Sequence, residues 1–268
     1  MNQRPAVTLQ IPNLPTPLQL RVHGKRDQTI SRRIREDGIW EPYETSLLLS
    51  MLQPGDVFVD VGANIGYFSV LAAFMVGEGG AVFAFEPDPD NFRLLRDNVA
   101  LNGFQQQVVT VEAGLTDSCR DGQLFLSEDN LGDHQIYASG ESRVSLPVTL
   151  YNGSRYLGEK LQRLDVLKVD TQGSEYQVMA GLLPLLLQLP AMPRIIIELT
   201  PWSLRQAGAS GRALIELLAS LGQPLWIIDH VEHALAASSA EVLAQWCDDV
   251  DAVAGDQGFM NILVGSTC

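Results

Sequence analysis

The sequence is poor in the residues that build disulfide frameworks and zinc sites. Its three cysteines, Cys119, Cys247 and Cys268, are odd in number, scattered and without metal-ligand spacing. We therefore predict free thiols of a reducing compartment and expect a cytoplasmic protein. There are only four histidines and no clustered acids, which argues against a catalytic zinc. We expect no metal site.

Basic side chains and long apolar runs are also scarce. The 18 lysines and arginines stand against 32 acidic residues, and the net charge of −14 would repel nucleic acid and anionic membranes. A basic cluster between Arg21 and Arg35 is interleaved with acids, which is typical of a solvated face. The apolar runs are too short to span a bilayer, and the start of the chain has no signal-peptide core. We expect no nucleic-acid partner and no membrane span.

The chain is organised around residues 54–88. A short β-branched and aromatic run there predicts a buried parallel strand, and a second such run follows a helix of about three turns. The predicted order is strand Val57–Val61, glycine-rich turn Gly62–Gly66, helix Tyr67–Val76 and strand Ala81–Phe85, which ends at Glu86.

The chemistry of this turn predicts a nucleoside-cofactor site. Glycines allow the backbone to approach a ligand closely. The helix that opens after Gly66 presents unpaired N–H groups and a partial positive charge. A carboxylate at the end of the next strand, as Glu86 is, can accept both hydroxyl protons of a ribose.

The spacing favours S-adenosylmethionine over a dinucleotide. Dinucleotide sites prefer G-x-G-x-x-G, whereas Gly62 and Gly66 give G-x-x-x-G. Asp60 would repel a polyphosphate but suits the ammonium or sulfonium end of S-adenosylmethionine. The plain alternative is a tight turn capped by Asn64. The joint occurrence of the turn, Asp60 and Glu86 in order favours the site.

The remaining pattern alternates strands with helices, which predicts an α/β fold. We expect a Rossmann-like, doubly wound, mostly parallel seven-stranded sheet with helices on both faces. An antiparallel ribbon is inserted at about residues 123–150, where alternating runs flank a polar loop. Residues 1–37 form an N-terminal extension and residues 38–268 the main domain. The other predicted strands are Val108–Val111, Val166–Val169, Ile195–Leu199, Leu225–Ile228 and Asn261–Val264.

Helices are predicted between these strands. One covers Pro42–Leu52, with proline in its first turn. Asp90 is expected to cap a helix over Asn91–Leu101. A short helix is expected over Ser154–Gln162, and another continues to about Leu187, with Pro184 ending or kinking it.

A second constellation, Lys168 to Glu175 (KVDTQGSE), ends the fourth strand, which should neighbour the first at the ligand-binding edge. Three roles compete for Asp170: contact to the donor's amino group, orientation or deprotonation of an acceptor, or structural capping. We favour the first two together. For Glu175 we favour capping.

His134, in the polar ribbon loop, and Glu198, at the end of a strand, are further candidate bases beside Asp170. Each has a plain alternative. His134 could be a surface histidine that hydrogen-bonds its own loop, and Glu198 could only tie down a neighbouring loop. We set aside His230 and His233, which follow the sixth strand.

Further residues are assigned to the donor site by their position in the predicted fold. Tyr43 and Glu44 could face the donor, although an aromatic anchor for the helix is an equal interpretation of Tyr43. Ala113 and Gly114 would lie beside an adenine ring. The full predicted donor set is Tyr43, Glu44, Asp60, Gly62, Ala63, Asn64, Gly66, Tyr67, Glu86, Pro87, Asn91, Ala113, Gly114 and Asp170.

Four segments, in order, resemble the FkbM-type methyltransferases: DVGANIGYFS, FEPDPDNFRLLRDNVALNGF, NLGDHQIY and KVDTQGSEYQVMAGL. The resemblance covers about residues 38–230. It implies S-adenosylmethionine as donor and usually a hydroxyl acceptor on a polyketide, sugar or similar metabolite. Carried over, it places Asp60, Gly62, Asn64 and Gly66 at the methionine end, Glu86 at the ribose and Asp170 where the site closes.

We therefore predict an S-adenosylmethionine-dependent methyltransferase that modifies oxygen on a small molecule. The acceptor oxygen is a hydroxyl or a carboxylate. Two other functions compete with this one. The first is a Rossmann oxidoreductase that uses NAD, and the second is a non-catalytic scaffold that only binds the donor.

Overall fold

The computed structural model describes residues 6–12, 14–138 and 143–267. Cys268, the start of the N-terminal extension and part of the predicted ribbon loop lie outside these residues. In chain order the strands are β1 (Ala6–Thr8), β2 (Gln19–Arg21), β3 (Val57–Val61), β4 (Ala81–Phe85), β5 (Val108–Val111), β6 (Gly114–Thr116), β7 (Arg120–Phe125), β8 (Ser145–Asn152), β9 (Val166–Val169), β10 (Arg194–Leu199), β11 (Leu225–Asp229), β12 (Ala234–Ser238) and β13 (Met260–Val264).

Helices connect most of these strands. In chain order they are α1 (Ile30–Asp37), α2 (Pro42–Met51), α3 (Tyr67–Val76), α4 (Pro89–Leu101), α5 (Gly153–Leu157), α6 (Glu175–Leu186), α7 (Pro201–Gln206), α8 (Gly211–Ala219) and α9 (Ala240–Ala252). No helix in the described part of the chain combines the length and apolar character that crossing a bilayer requires.

The main sheet has eight strands in the order β12-β11-β13-β10-β9-β3-β4-β5. Its four pairs from β10 to β5 are parallel, and its three pairs from β12 to β10 are antiparallel. The α/β, Rossmann-like, mostly parallel prediction is confirmed, and all seven predicted strands are present. The eighth strand, β12, was missed because its sequence, ALAAS, is made of small residues with little strand preference.

Two hydrophobic cores cover the two faces of the sheet. Successive residues of β4 alternate between them, with Val82 and Ala84 in one core and Phe83 and Phe85 in the other. Helices α2, α3 and α4 pack on the first face, and helices α6, α8 and α9 on the second. Because both faces are covered, the polar ligand-binding edge lies at the ends of the strands.

The predicted ribbon is confirmed, since β7 pairs antiparallel with β8. Strand β6 adds a third, parallel strand to it. Two side-chain amides at the C-terminal end of α4 hydrogen-bond to the backbone of β2, as a neighbouring strand would, and so hold the N-terminal extension against α4. Asn98 accepts from the amide of Arg21 at 2.6 Å and donates to its carbonyl oxygen at 2.9 Å. Asn102 makes the same two bonds with Gln19.

Two helix boundaries differ from the sequence prediction. Asp88, not Asp90, caps α4, because Pro89 occupies the first turn and the Asp88 carboxylate accepts from the amides of Asp90 and Asn91. The predicted helix over Ser154–Gln162 is the shorter α5. Helix α6 ends at Leu186, within one residue of the predicted end, and Pro184 lies inside it.

The hydroxyl of Ser154 compensates for the disturbance that a proline causes inside α6. It donates to the carbonyl oxygen of Gly181 at 2.7 Å and accepts from the amide of Leu185 at 3.0 Å. Gly181 itself lies so close to β6 that a Cβ would be 2.1 Å from the carbonyl oxygen of Thr116.

We predict that Gly181→Ala destabilises the protein, although alanine is the better helix former by about 1 kcal/mol. The added methyl must push α6 away from β6, and overpacking of this kind costs about 1–3 kcal/mol. Urea unfolding would measure the loss. Gly24→Ala is the control, since a Cβ there meets nothing within 4 Å. Equal stability of the two variants would contradict the prediction.

Candidate active site

The turn after β3 brings the ends of two parallel strands unusually close. Gly62 has a left-handed φ of 88°, and a Cβ there would lie 1.9 Å from the carbonyl oxygen of Asp170. Only glycine fits this approach. The amides of Gly62 and Ala63 donate to the carbonyl oxygen of Phe85, at 3.0 and 2.9 Å. The turn is thereby fixed to both neighbouring strand ends.

Asn64 and Gly66 complete the bend. Asn64 is left-handed, with φ of 52°, and its side chain donates to the carbonyl oxygen of Leu131 in the ribbon loop at 3.3 Å. At Gly66 a Cβ would lie 2.6 Å from Cδ1 of Leu95, so glycine allows α3 to start against α4. Close packing therefore requires glycine at both ends of the predicted turn.

A first cavity lies beside this turn. Its walls are the turn, the end of β4, the start of β6 and the ribbon loop, which contributes Leu131 and Gly132. The predicted site residues on its wall are Gly62, Asn64, Glu86, Pro87, Asn91, Gly114, His134 and Asp170.

Glu86 is the principal charged group of the first cavity. Its two oxygens accept from the amides of Asn64 and Asp88, each at 2.8 Å. Burial raises the pKa of Glu86 to about 8, despite these two hydrogen bonds. Each carboxylate oxygen has a further lone pair, so Glu86 can still accept the ribose hydroxyls that the sequence predicts.

A second cavity, of about 1060 Å³, opens on the other side of the turn. It shares Gly62, Asn64, Gly132, Asp170 and Gln172 with the first cavity, so the two are neighbours across one wall. The predicted residues Ala63, Tyr67 and Glu198 line it. So do four residues that the sequence did not single out, Trp40, Glu41, Lys168 and Phe259.

Five predicted donor residues do not line either cavity: Tyr43, Glu44, Asp60, Gly66 and Ala113. Asp60 is 2% exposed and accepts from the Ser69 hydroxyl at 2.6 Å, while burial raises the pKa of its carboxyl to about 6. Tyr43 stacks on His233 with ring centroids 5.6 Å apart, which supports the anchoring interpretation. Ala113 and Glu44 are fully buried. Side chains alternate along a strand, so a residue near a strand end can point into the core.

Lys168, rather than Asp60, is the buried charge behind the second cavity. Its ammonium lies 3.0 Å from Asp170 Oδ2 and 3.5 Å from Glu44 Oε1, and 4.6 Å from the centre of the Phe68 ring. Burial opposes its positive charge, but Asp170 and Glu44 outweigh this and raise the pKa of Lys168 well above its usual value. A lysine in the otherwise apolar β9 was the sequence signal for this role.

Glu44 links this lysine to the far end of the chain. Its Oε2 accepts from the Asn261 amide at 2.6 Å and lies 4.0 Å from Nε2 of His230. His230 thus borders the buried charges, although the sequence gave reason to set it aside. No group of three or more His, Cys, Asp and Glu side chains is arranged for a metal within the described ranges.

Asp170 faces both cavities and is held from two sides. Gln172, at a left-handed φ of 54°, donates through its amide to Asp170 Oδ1 at 2.8 Å and to Glu198 Oε2 at 3.0 Å. Burial and the neighbouring Asp170 raise the pKa of Glu198 well above its usual value. Glu198 therefore keeps its proton more readily, and Asp170 is the better placed proton acceptor.

Glu175 accepts from the amides of Thr171 and Gly173, as the capping interpretation predicts.

His134 lines the first cavity but is not arranged as a base. Its Nδ1 accepts from the amide of Ser127 at 3.0 Å, so in the neutral ring Nε2 holds the proton. Burial lowers the pKa of His134. A neutral Nε2–H is a hydrogen-bond donor, so the geometry favours a binding role over proton abstraction.

The fold and the cavities define the class of protein. A parallel sheet whose glycine turn and strand-end acid flank a pocket is a Rossmann-like, nucleoside-cofactor-binding α/β domain. Residues 60–225 match the family described as "Methyltransferase FkbM domain", which is more than half of the 268 residues. The chain belongs to this family. Its membership confirms the expected resemblance and S-adenosylmethionine as the cofactor.

Individual relatives are more distant. The chain is 30% identical over 138 residues to the hexuronic acid methyltransferase AglP of Haloferax volcanii, covering 51% of this chain and 54% of that protein. It is 37% identical over 112 residues to the 31-O-demethyl-FK506 methyltransferase FkbM of Streptomyces tacrolimicus, covering 40% of each. The chain thus spans about half the length of the curated relatives it matches. Methyltransferase FkbM from Methylobacillus flagellatus is a structural neighbour with a TM-score of 0.45 and 11% identity, covering 83% of this chain and 51% of that one.

We predict that donor affinity rises with pH up to about 8, because Glu86 must lose its proton to accept two ribose hydroxyls. Below that pH the expected slope is up to about tenfold per pH unit. Calorimetry with S-adenosylmethionine between pH 6 and 9 would measure it. Glu86→Gln should bind more weakly and remove most of the slope. A profile that is the same in both proteins would count against this role.

We also predict that Lys168→Met destabilises the protein by about 3–5 kcal/mol, since it leaves Glu44 and Asp170 without their buried cation. Unfolding in urea would measure the loss, with the exposed Lys25→Met as control. A loss no larger than that of the control would refute the electrostatic explanation.

Proposed function

We propose that this chain is an S-adenosylmethionine-dependent methyltransferase that acts on an oxygen of a small molecule. The acceptor is a hydroxyl or carboxylate on a metabolite, a sugar or a natural-product intermediate. The observation that supports it most is the pair of neighbouring cavities that share Gly62 and Asp170 in their walls, with Glu86 in one of them.

The residues present fit the donor. The missing Cβ at Gly62 leaves the backbone accessible, and Glu86 offers a carboxylate for the ribose. The α3 N-terminus, with Ala63 and Asn64 on the wall of the second cavity, suits the donor's carboxylate. Glu86 and Asn91 would hold the nucleoside part, and Asp170 the methionine part.

The bound donor supplies a methyl group on a sulfonium, which is ready for transfer. The chain has to align the acceptor with it, and alignment accounts for about 7–11 kcal/mol at best. A hydroxyl acceptor must also lose its proton, and Asp170 is the group we assign to receive it. Gln172 fixes the orientation of Asp170, and the ammonium of Lys168 lies 3.0 Å from its Oδ2. A carboxylate acceptor would need no such proton acceptor.

Several observations favour this proposal over its rivals. The family match and the absence of a middle glycine argue against NAD. The names of two relatives specify a hexuronic acid and 31-O-demethyl-FK506 as acceptors, which are oxygen-rich small molecules. A net charge of −14 disfavours a nucleic-acid acceptor.

Cys119 and Cys247 are free thiols. The cytoplasmic location stays a prediction.

The test is transfer of a labelled methyl group to a panel of hexuronic acids, their glycosides and polyketide alcohols. Alkali releases methanol from a methyl ester but not from a methyl ether, so it distinguishes the two oxygen classes. For a hydroxyl acceptor, Asp170→Asn should lower kcat by about 10²–10⁴-fold. For a carboxylate acceptor the loss should be much smaller.

Glu86→Ala is the matched control, because it removes donor binding without touching Asp170. Donor binding without transfer to any acceptor would support the scaffold instead. Binding of NAD in place of S-adenosylmethionine would overturn the proposal altogether.

A further inference from the structure

Glu41 is held in a backbone conformation that its sequence context disfavours. It precedes α2 with φ of 42° and ψ of 71°, in the left-handed region. A side chain with a Cβ rarely adopts this region, and a residue before proline, here Pro42, prefers an extended backbone. Strain of this kind costs about 1–3 kcal/mol and is concentrated at functional sites.

The Glu41 side chain does nothing for the helix that it precedes. It occupies the N-cap position but accepts no hydrogen bond from the first turn of α2. Burial raises the pKa of this carboxyl by more than the neighbouring Trp40 side chain lowers it. Oε2 of Glu41 is sealed from solvent and has no hydrogen-bond partner among the described residues. A buried acceptor without a partner is destabilising, so a ligand is the natural partner to seek.

The position of Glu41 indicates which ligand group this is. Glu41 lines the second cavity together with Asp170 and the residues that open α3. Five carboxyl groups interact electrostatically with the ammonium of Lys168, those of Glu41, Glu44, Asp60, Asp170 and Glu198. The surroundings are therefore short of positive charge.

We propose that Glu41, together with Asp170, binds the α-ammonium group at the methionine end of the donor. This inference rests on the proposed function. The donor has two cationic groups, but only the ammonium has N–H protons that can satisfy Oε2 of Glu41. The donor's carboxylate would be repelled by Glu41 and is better placed at the α3 N-terminus.

Glu41 lies outside residues 60–225, the segment that matches the family. The same is true of the neighbouring Trp40. The donor-binding apparatus therefore extends into the segment before the glycine turn. The sequence pattern drew attention to Tyr43 and Glu44 in this segment, but their side chains turn away from the cavity.

A change in protonation provides an independent sign of this contact. Burial, followed by the charge of Glu44, raises the pKa of Glu41 well above its usual value, although Lys168 opposes this. An ammonium beside Glu41 would lower that pKa and expel a proton on binding. The other titratable groups that face Glu41 are Asp170, Glu198 and Tyr67.

The experiment compares three ligands by calorimetry: S-adenosylmethionine, S-adenosylhomocysteine and an analogue of the latter without its α-amino group. Glu41→Gln keeps the shape of the side chain and removes its charge. It should bind the first two ligands about 10–100-fold more weakly, the range expected for one charged hydrogen bond, and the third unchanged. Glu36→Gln, on the exposed face of α1, removes the same charge elsewhere and should change none of them.

Three outcomes would overturn the assignment: unchanged affinities, an equal loss for the analogue without the amine, or a loss for S-adenosylmethionine alone. The last would mean that Glu41 attracts the sulfonium. Proton release by the unaltered protein, measured in two buffers, should be larger for S-adenosylhomocysteine than for the analogue. Equal release would refute the contact even if Glu41→Gln failed to fold. Failure of the unaltered protein to bind S-adenosylmethionine would instead refute the proposed function.

Discussion

The approach of Gly62 to the carbonyl of Asp170 is the constraint on which the site depends. Strands β3 and β9 run parallel in register, and the amide of Asp170 donates to the carbonyl oxygen of Val61 at 3.0 Å. Beyond this hydrogen bond the ends of the two strands diverge around Gly62, where there is no room for a methyl group. Both cavities take part of their wall from this point. Any side chain at Gly62 would separate the strand ends and deform both cavities together.

The charges behind this point connect distant parts of the chain. Lys168 on β9 reaches Glu44 on α2, and Glu44 reaches Asn261 on β13. Such a network is worth little as a source of stability, because burying its members costs about as much as their attraction returns. Its value is geometric. It fixes the segment with Trp40 and Glu41 against the strand that presents Asp170.

Local patterns predicted the parts of the structure that depend on local chemistry. The seven strands, the turn, Glu86 and Asp170 follow from runs and spacings that any Rossmann-like unit must contain. Asp60 and Glu44 do not line either cavity, because the direction of a side chain near a strand or helix end depends on packing. The state of His134 depends on one amide of Ser127, seven residues away along the chain. No pattern could reveal the unpartnered oxygen of Glu41, since its burial depends on segments that are distant in the sequence.

Strand β13 lies inside the main sheet, between β10 and β11, and is antiparallel to both. Removing β13 would not simply remove an edge strand of the sheet. It would leave β11 and β12 as a detached hairpin, and would expose the open flank of β10 as a ready template for intermolecular pairing. Asn261 would be lost with it, so the partner of Glu44 would disappear in the same step. Damage at this remote segment would thus reach the two cavities through the sheet.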